Sequence, residues 1–159
     1  MMNIRKLLLL TMTHTSVLAF GFAAGIYVLP IITAPPAPSD VEIKTSFVDA
    51  EYRTEFVRDL EGSDPLHWGQ GEVSLSAKEV SLLGSLAPGP EYKLYLSPEF
   101  VETEAEFEQL KSQMKLVGDV KTFNNFKVNV SAETELSHYN TVVVWCEAFS
   151  QFITSAKYR

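Results

Sequence analysis

From Leu7 to Ile32 the chain carries no charged side chain, and the only polar ones are Thr11, Thr13, His14, Thr15 and Ser16. About 20 residues of helix cross a bilayer core, and a secretory signal has an apolar region of only about 7–15 residues. The run is therefore read as a transmembrane helix within residues 1–33, an uncleaved signal anchor. Pro35 follows the small Ala34, where a proline hinders cleavage. Arg5 and Lys6 precede the span and no basic residue follows it closely, which places the N-terminus in the cytoplasm and the remainder outside. Gly21 and Gly25 form a G-x-x-x-G pair, a surface through which two such helices can dimerise. His14 reads as an interfacial polar residue near the cytoplasmic end, with a proton-relay role as the alternative.

The rest of the chain has a different character. Ala34-Pro35-Pro36-Ala37-Pro38-Ser39 is a proline-rich, extended spacer, and the linker is drawn over 34–44. Residues 45–159 then show short apolar or alternating runs between turn residues. Val73 and Leu75 alternate with polar neighbours, as do Tyr92, Leu94 and Leu96, and Phe126, Val128 and Val130. Thr141 to Trp145 is a continuous β-branched and aromatic run, as in a strand covered on both faces. Thr103-x-x-Glu106 is a capping box, with Phe107, Leu110 and Met114 at helical spacing, so one short helix is predicted at 103–114. The expected fold is mainly β, an antiparallel β-sandwich or barrel with that helix packed on its edge.

Charge and cysteine content narrow the function. Of 13 basic and 20 acidic side chains only Arg5 and Lys6 precede residue 40, so the remainder is net −9. Such a domain repels phosphate backbones, which excludes nucleic acid as the expected partner. The single cysteine, Cys146, leaves no internal disulfide, zinc finger or C-x-x-C pair. No G-x-S-x-G, Walker A or dinucleotide fingerprint occurs, and no H-E-x-x-H. The carboxylates Glu102, Glu104, Glu106 and Glu108 read as a solvated helix face.

Two residues remain as candidates for chemistry. Cys146 ends the run Val142-Val143-Val144-Trp145, and strand parity groups it with Val142 and Val144. It reads either as a small buried hydrophobe or as a redox thiol or soft metal ligand, and Glu147 beside it raises a thiol pKa. His67, in Asp64-Pro65-Leu66-His67-Trp68-Gly69-Gln70-Gly71, shares parity with Val73 and Leu75 if the strand has no bulge, and is the second. A metal held by Cys146 and His67 alone lacks further ligands. His138 is expected to be exposed. Trp68, Tyr92, Tyr95, Trp145 and Phe149 are expected mainly in the core, with a ligand pocket as the alternative.

Three segments in order resemble one family: His67-Trp68-Gly69-Gln70-Gly71-Glu72-Val73, Gly89-Pro90-Glu91-Tyr92-Lys93-Leu94-Tyr95-Leu96, and Val142-Val143-Val144-Trp145-Cys146-Glu147-Ala148-Phe149. They are similar to the DM13 domain, over about residues 45–158. Gly25-Ile26-Tyr27-Val28-Leu29-Pro30 makes the anchor resemble that of small bacterial membrane-bound members, on the periplasmic side of the inner membrane. The resemblance implies a β-rich extracytoplasmic module with an electron-transfer role and Cys146 as its redox centre. No companion haem or DOMON domain is present in this chain, so the resemblance implies a donor and an acceptor on other proteins, with haem or metal supplied through a partner. The alternative is a non-catalytic envelope-binding module in which Cys146 is core packing. A hydrolase ranks third, since it needs an orienting group and an oxyanion site beyond a Cys–His pair.

Overall fold

The computed structural model describes residues 3–159. Helix α1 runs Ile4–Thr33, 30 residues, with Asn3 capping the backbone N–H of Arg5. It has the length and composition of a membrane span or signal sequence, and none of its residues is buried. Pro30 lies in its last turns, and Ala34 turns to extended backbone ahead of Pro35.

Where the sequence reading continued the linker to residue 44, the structure has a second helix, α2, at Asp40–Ser46. Ser39 and Glu42 close a capping box around its first turn, and Ile43 is fully buried. Asn125 ties this entry down: its side-chain amide donates to the Pro38 carbonyl (3.1 Å) and to Asp40 Oδ1 (2.8 Å). One buried apolar residue in seven leaves no periodicity to read, so the Ser39-x-x-Glu42 box is the element's main signal in sequence.

Eight strands complete the chain: β1 Tyr52–Phe56, β2 Gly69–Leu75, β3 Glu79–Leu86, β4 Tyr92–Ser97, β5 Lys115–Val120, β6 Asn124–Asn129, β7 Thr141–Cys146 and β8 Gln151–Lys157. They form two antiparallel four-stranded sheets, ordered β1-β2-β3-β6 and β5-β4-β7-β8. The edges approach each other: Thr54 Oγ1 donates to the Lys157 carbonyl (2.7 Å) between β1 and β8. The mainly β sandwich expected from the sequence is the observed fold.

The core lies between the inner faces. Phe56, Val73, Leu75, Leu82 and Phe126 of the first sheet meet Leu94, Leu96, Val142, Val144 and Ile153 of the second. The outer face of the second sheet carries a smaller cluster under helix α3, Glu104–Leu110. There Phe107 stacks on Trp145, ring centroids 3.9 Å apart and planes 9° from parallel. Thr103 and Glu106 close the expected capping box, and the predicted 103–114 helix divides into α3 and a 3₁₀ turn at 111–113. With a sheet on one side and α3 on the other, every residue of β7 is buried.

Candidate functional site

The site is built at the end of the sandwich nearest α1. Cys146 is the last residue of β7, on the inward parity of Val142 and Val144, and only 3% exposed. Its thiol donates to the Pro90 carbonyl (3.1 Å), in the loop between β3 and β4. Burial pushes the Cys146 thiol above its ordinary pKa. The N–H groups of Ala148 and Phe149, aimed at the sulfur by the β7–β8 turn, oppose this, and the charges of Glu91 and Glu147 add to it. The resting group is a protonated thiol.

His67 lies in the loop from β1 to β2 and is half-buried. Asp64 organises that loop. Its Oδ1 accepts from the N–H groups of Leu66 (2.6 Å) and His67 (2.9 Å), and its Oδ2 pairs with His67 Nδ1 (2.8 Å). Partial burial pushes the Asp64 carboxyl up, but the hydrogen bonds from the His67 ring and from Leu66 outweigh it, and its pKa is held below the ordinary value. With Nδ1–H donated to a carboxylate, the ring presents Nε2 as its free acceptor. After His67 the strand β2 keeps an unbroken register with β1 and β3, but Gly71 has φ +122°, a conformation that side chains rarely adopt, and a Cβ there would strike the Leu83 carbonyl. Gly71 is thus a backbone requirement of β2 against β3, whereas Gly69 makes room for the Thr154 and Leu86 side chains.

Nearly 80 residues separate His67 from Cys146, and the fold brings both to one cavity of about 190 Å³. Its other walls include Tyr92 of β4, Phe149 of the β7–β8 turn, and Ile26 and Tyr27 of α1. Burial, with the nearby Cys146 adding, pushes the Tyr92 hydroxyl well above its ordinary range. Among the described residues no three His, Cys, Asp or Glu side chains gather as a metal-ligand set, and the cavity offers two such donors, Cys146 and His67. That donor set does not fit a resident metal ion by itself.

The remaining sequence candidates lie elsewhere. His14 sits within α1, its Nδ1 at 2.7 Å from the Leu10 carbonyl. His138 is exposed and pairs with Glu135 at 3.1 Å. Tyr95 and Trp145 belong to the cluster under α3, where Tyr95 donates to Glu147 and Lys111 pairs with the same carboxylate at 2.9 Å. Trp68 lies under the Arg58 guanidinium at 3.6 Å. Phe149 departs from the expectation of a core aromatic: it is 52% exposed, because the four-residue turn after Cys146 carries it out of the sheet. Sequence reasoning gave no site role to the Pro90 carbonyl or to Tyr27, although both lie in segments that carry the family resemblance. The hydrogen bond from Cys146 to Pro90 arises only from the pairing of Tyr92 with Cys146 across β4 and β7.

Among known proteins, no curated protein and no solved structure matches the chain. The family model described as "Electron transfer DM13" matches residues 60–158. That span begins at the β1–β2 loop, contains His67, Tyr92 and Cys146, and ends at Tyr158 after β8. With well over half the chain inside the match, and the three motif segments forming the walls of one cavity, this protein belongs to the DM13 family.

Proposed function

We propose that this protein is a membrane-anchored, extracytoplasmic redox module of the DM13 family in which Cys146 is the electron-carrying group and His67 its proton acceptor. Residues 1–33 anchor it, and 45–159, extended back to α2, face the periplasmic side of a bacterial inner membrane. The observation that carries the reading is the convergence of Cys146 and His67 on one cavity. Asp64 holds the His67 ring at 2.8 Å, as a base needs to be held.

The step is proton-coupled. The S–H bond of Cys146 breaks, its proton passes to His67 Nε2, and one electron leaves to an oxidised haem or metal centre carried by a partner protein. The products are a sulfur radical, an imidazolium and a partner centre reduced by one electron. A one-electron donor reverses each change. Thiolate ligation of a partner's metal uses the same proton transfer. A thiol held protonated by burial requires such a base before it can act.

The test is the rate of Cys146 alkylation against pH in the full chain, beside His67→Ala and Asp64→Asn. Both variants are expected to move the profile to higher pH and to slow the reaction several-fold near neutrality. Profiles that coincide with wild type overturn the redox reading. They favour the second one, a binding module in which a 3% exposed cysteine bonded to Pro90 is core packing.

A further inference from the structure

The cavity beside Cys146 is closed on one side by α1 itself, through Ala23, Ile26 and Tyr27. This fixes the height of the cavity against a bilayer. A span that starts at Leu7, after the last cation Lys6, has crossed about 30 Å of hydrocarbon after about 20 residues, at Ile26. Tyr27 comes next, at the depth where amphipathic aromatic rings concentrate. The domain residues level with Ile26 and Tyr27 therefore stand at the outer membrane–water interface. Two of them are large, apolar and turned out to solvent: Leu66 is 58% exposed and Phe149 52%. They come from the β1–β2 loop and the β7–β8 turn, and they flank Cys146 and His67.

We propose that Leu66 and Phe149 seat this end of the sandwich in the outer interface of the bilayer that α1 spans. The cavity holding Cys146 then opens at membrane level. The inference rests on reading α1 as a retained anchor. Charge does not drive the seating, since residues 40–159 are net −9 and repelled by anionic headgroups; apolar burial does. The two side chains line the same cavity as Ala23, Ile26 and Tyr27 of α1, and a lipid surface is the occupant that covers both at once.

The test places benzoylphenylalanine at one position at a time in the full chain, reconstituted in phosphatidylcholine vesicles, and reads lipid adducts by mass spectrometry after illumination. The positions are Phe149, Leu66, Val48 and Leu18. Val48, 78% exposed between α2 and β1, lies at the opposite end of the sandwich, where Glu51 pairs with Leu75. Leu18 lies mid-span in α1. All four side chains are exposed at the protein surface, so the replacements leave the core intact. Adducts at 149 and 66 at least tenfold above those at 48, alongside strong adducts at 18, are the expected result. Adducts at 18 alone overturn the seating and leave the anchor in place. No adduct at 18 overturns the anchor reading and the seating with it.

Discussion

Cys146 shows how one atom's surroundings set its chemistry. Burial from water is the first cause of its raised pKa, the Phe149 and Ala148 N–H groups oppose it next, and the charges of Glu91 and Glu147 add to the rise last. A folded-state pKa raised in this way contributes stability that is fully present below the unfolded value of about 8.5 and is lost as pH rises through the folded value. Urea titrations of the full chain are therefore expected to show stability falling as pH rises above about 8.5. Cys146→Ser, with no titrating group, is expected to flatten that fall. Tyr92, Tyr95 and Tyr158 are also raised, but their unfolded value of about 10 puts their effect at higher pH. A variant slope equal to wild type would mean the thiol does not titrate differently on unfolding. That Cys146 shares a face with Val142 and Val144 was legible from parity, that this face is the inner one was not, and the direction of its pKa shift was legible only in part. Glu147 was visible as a neighbour, whereas burial, the larger cause, belongs to the packed fold.

Helix α3 is the element that makes β7 a two-sided strand. It has seven residues, too short to hold itself, so its cap and its Phe107 contact carry it. The Thr103 hydroxyl accepts from the Glu106 N–H, and Glu106 Oε2 accepts from the N–H groups of Thr103 (3.2 Å) and Glu102 (2.8 Å). Thr103→Ala is expected to cost about 1 kcal/mol. Because α3 roofs Trp145, the same change is expected to redden Trp145 emission before global unfolding. Loss of stability with no spectral change would show that the roof does not depend on its cap. This element was readable because a capping box and an i, i+3 apolar pair are local signals. Helix α2 carries the same cap, Ser39 with Glu42, and was overlooked because a proline-rich run precedes it and Ile43 is its one fully buried apolar residue.

At the scale of the whole chain, two acid-side effects oppose each other. Lowering pH from 7 toward the isoelectric point near 4.9 relieves the repulsion of a net charge of −7. Below that, carboxyls with depressed folded-state pKa values must be protonated: Asp64 through His67, Asp119 through Lys93, and Glu147 through Tyr95 and Lys111. A depressed carboxyl contributes stability present above its unfolded value, about 4, and loses it as pH falls through the folded value. The thermal midpoint, followed by circular dichroism, is expected to hold or rise from pH 7 to about 5 and to drop below about 4. A midpoint still rising below pH 4 would show that charge repulsion outweighs these contacts.

Local chemistry along the chain was enough to announce several of its elements. An uncharged run of 26 residues from Leu7 to Ile32 has to be an apolar helix, and alternation in Val73–Leu75, Tyr92–Leu96 and Phe126–Val130 favours strands. The residues of the redox reading, Cys146 and His67, stood out as the chemistry-bearing members of recognisable segments. Tertiary packing brought those two into a shared cavity, because their meeting depends on strand order: β7 lies beside β4 in one sheet while the β1–β2 loop closes over the same end from the other. Packing also made α1 a wall of that cavity and carried Phe149 out of the core. Strand pairing across tens of residues is set by how two sheets bury their inner faces together, and no window of sequence contains that information.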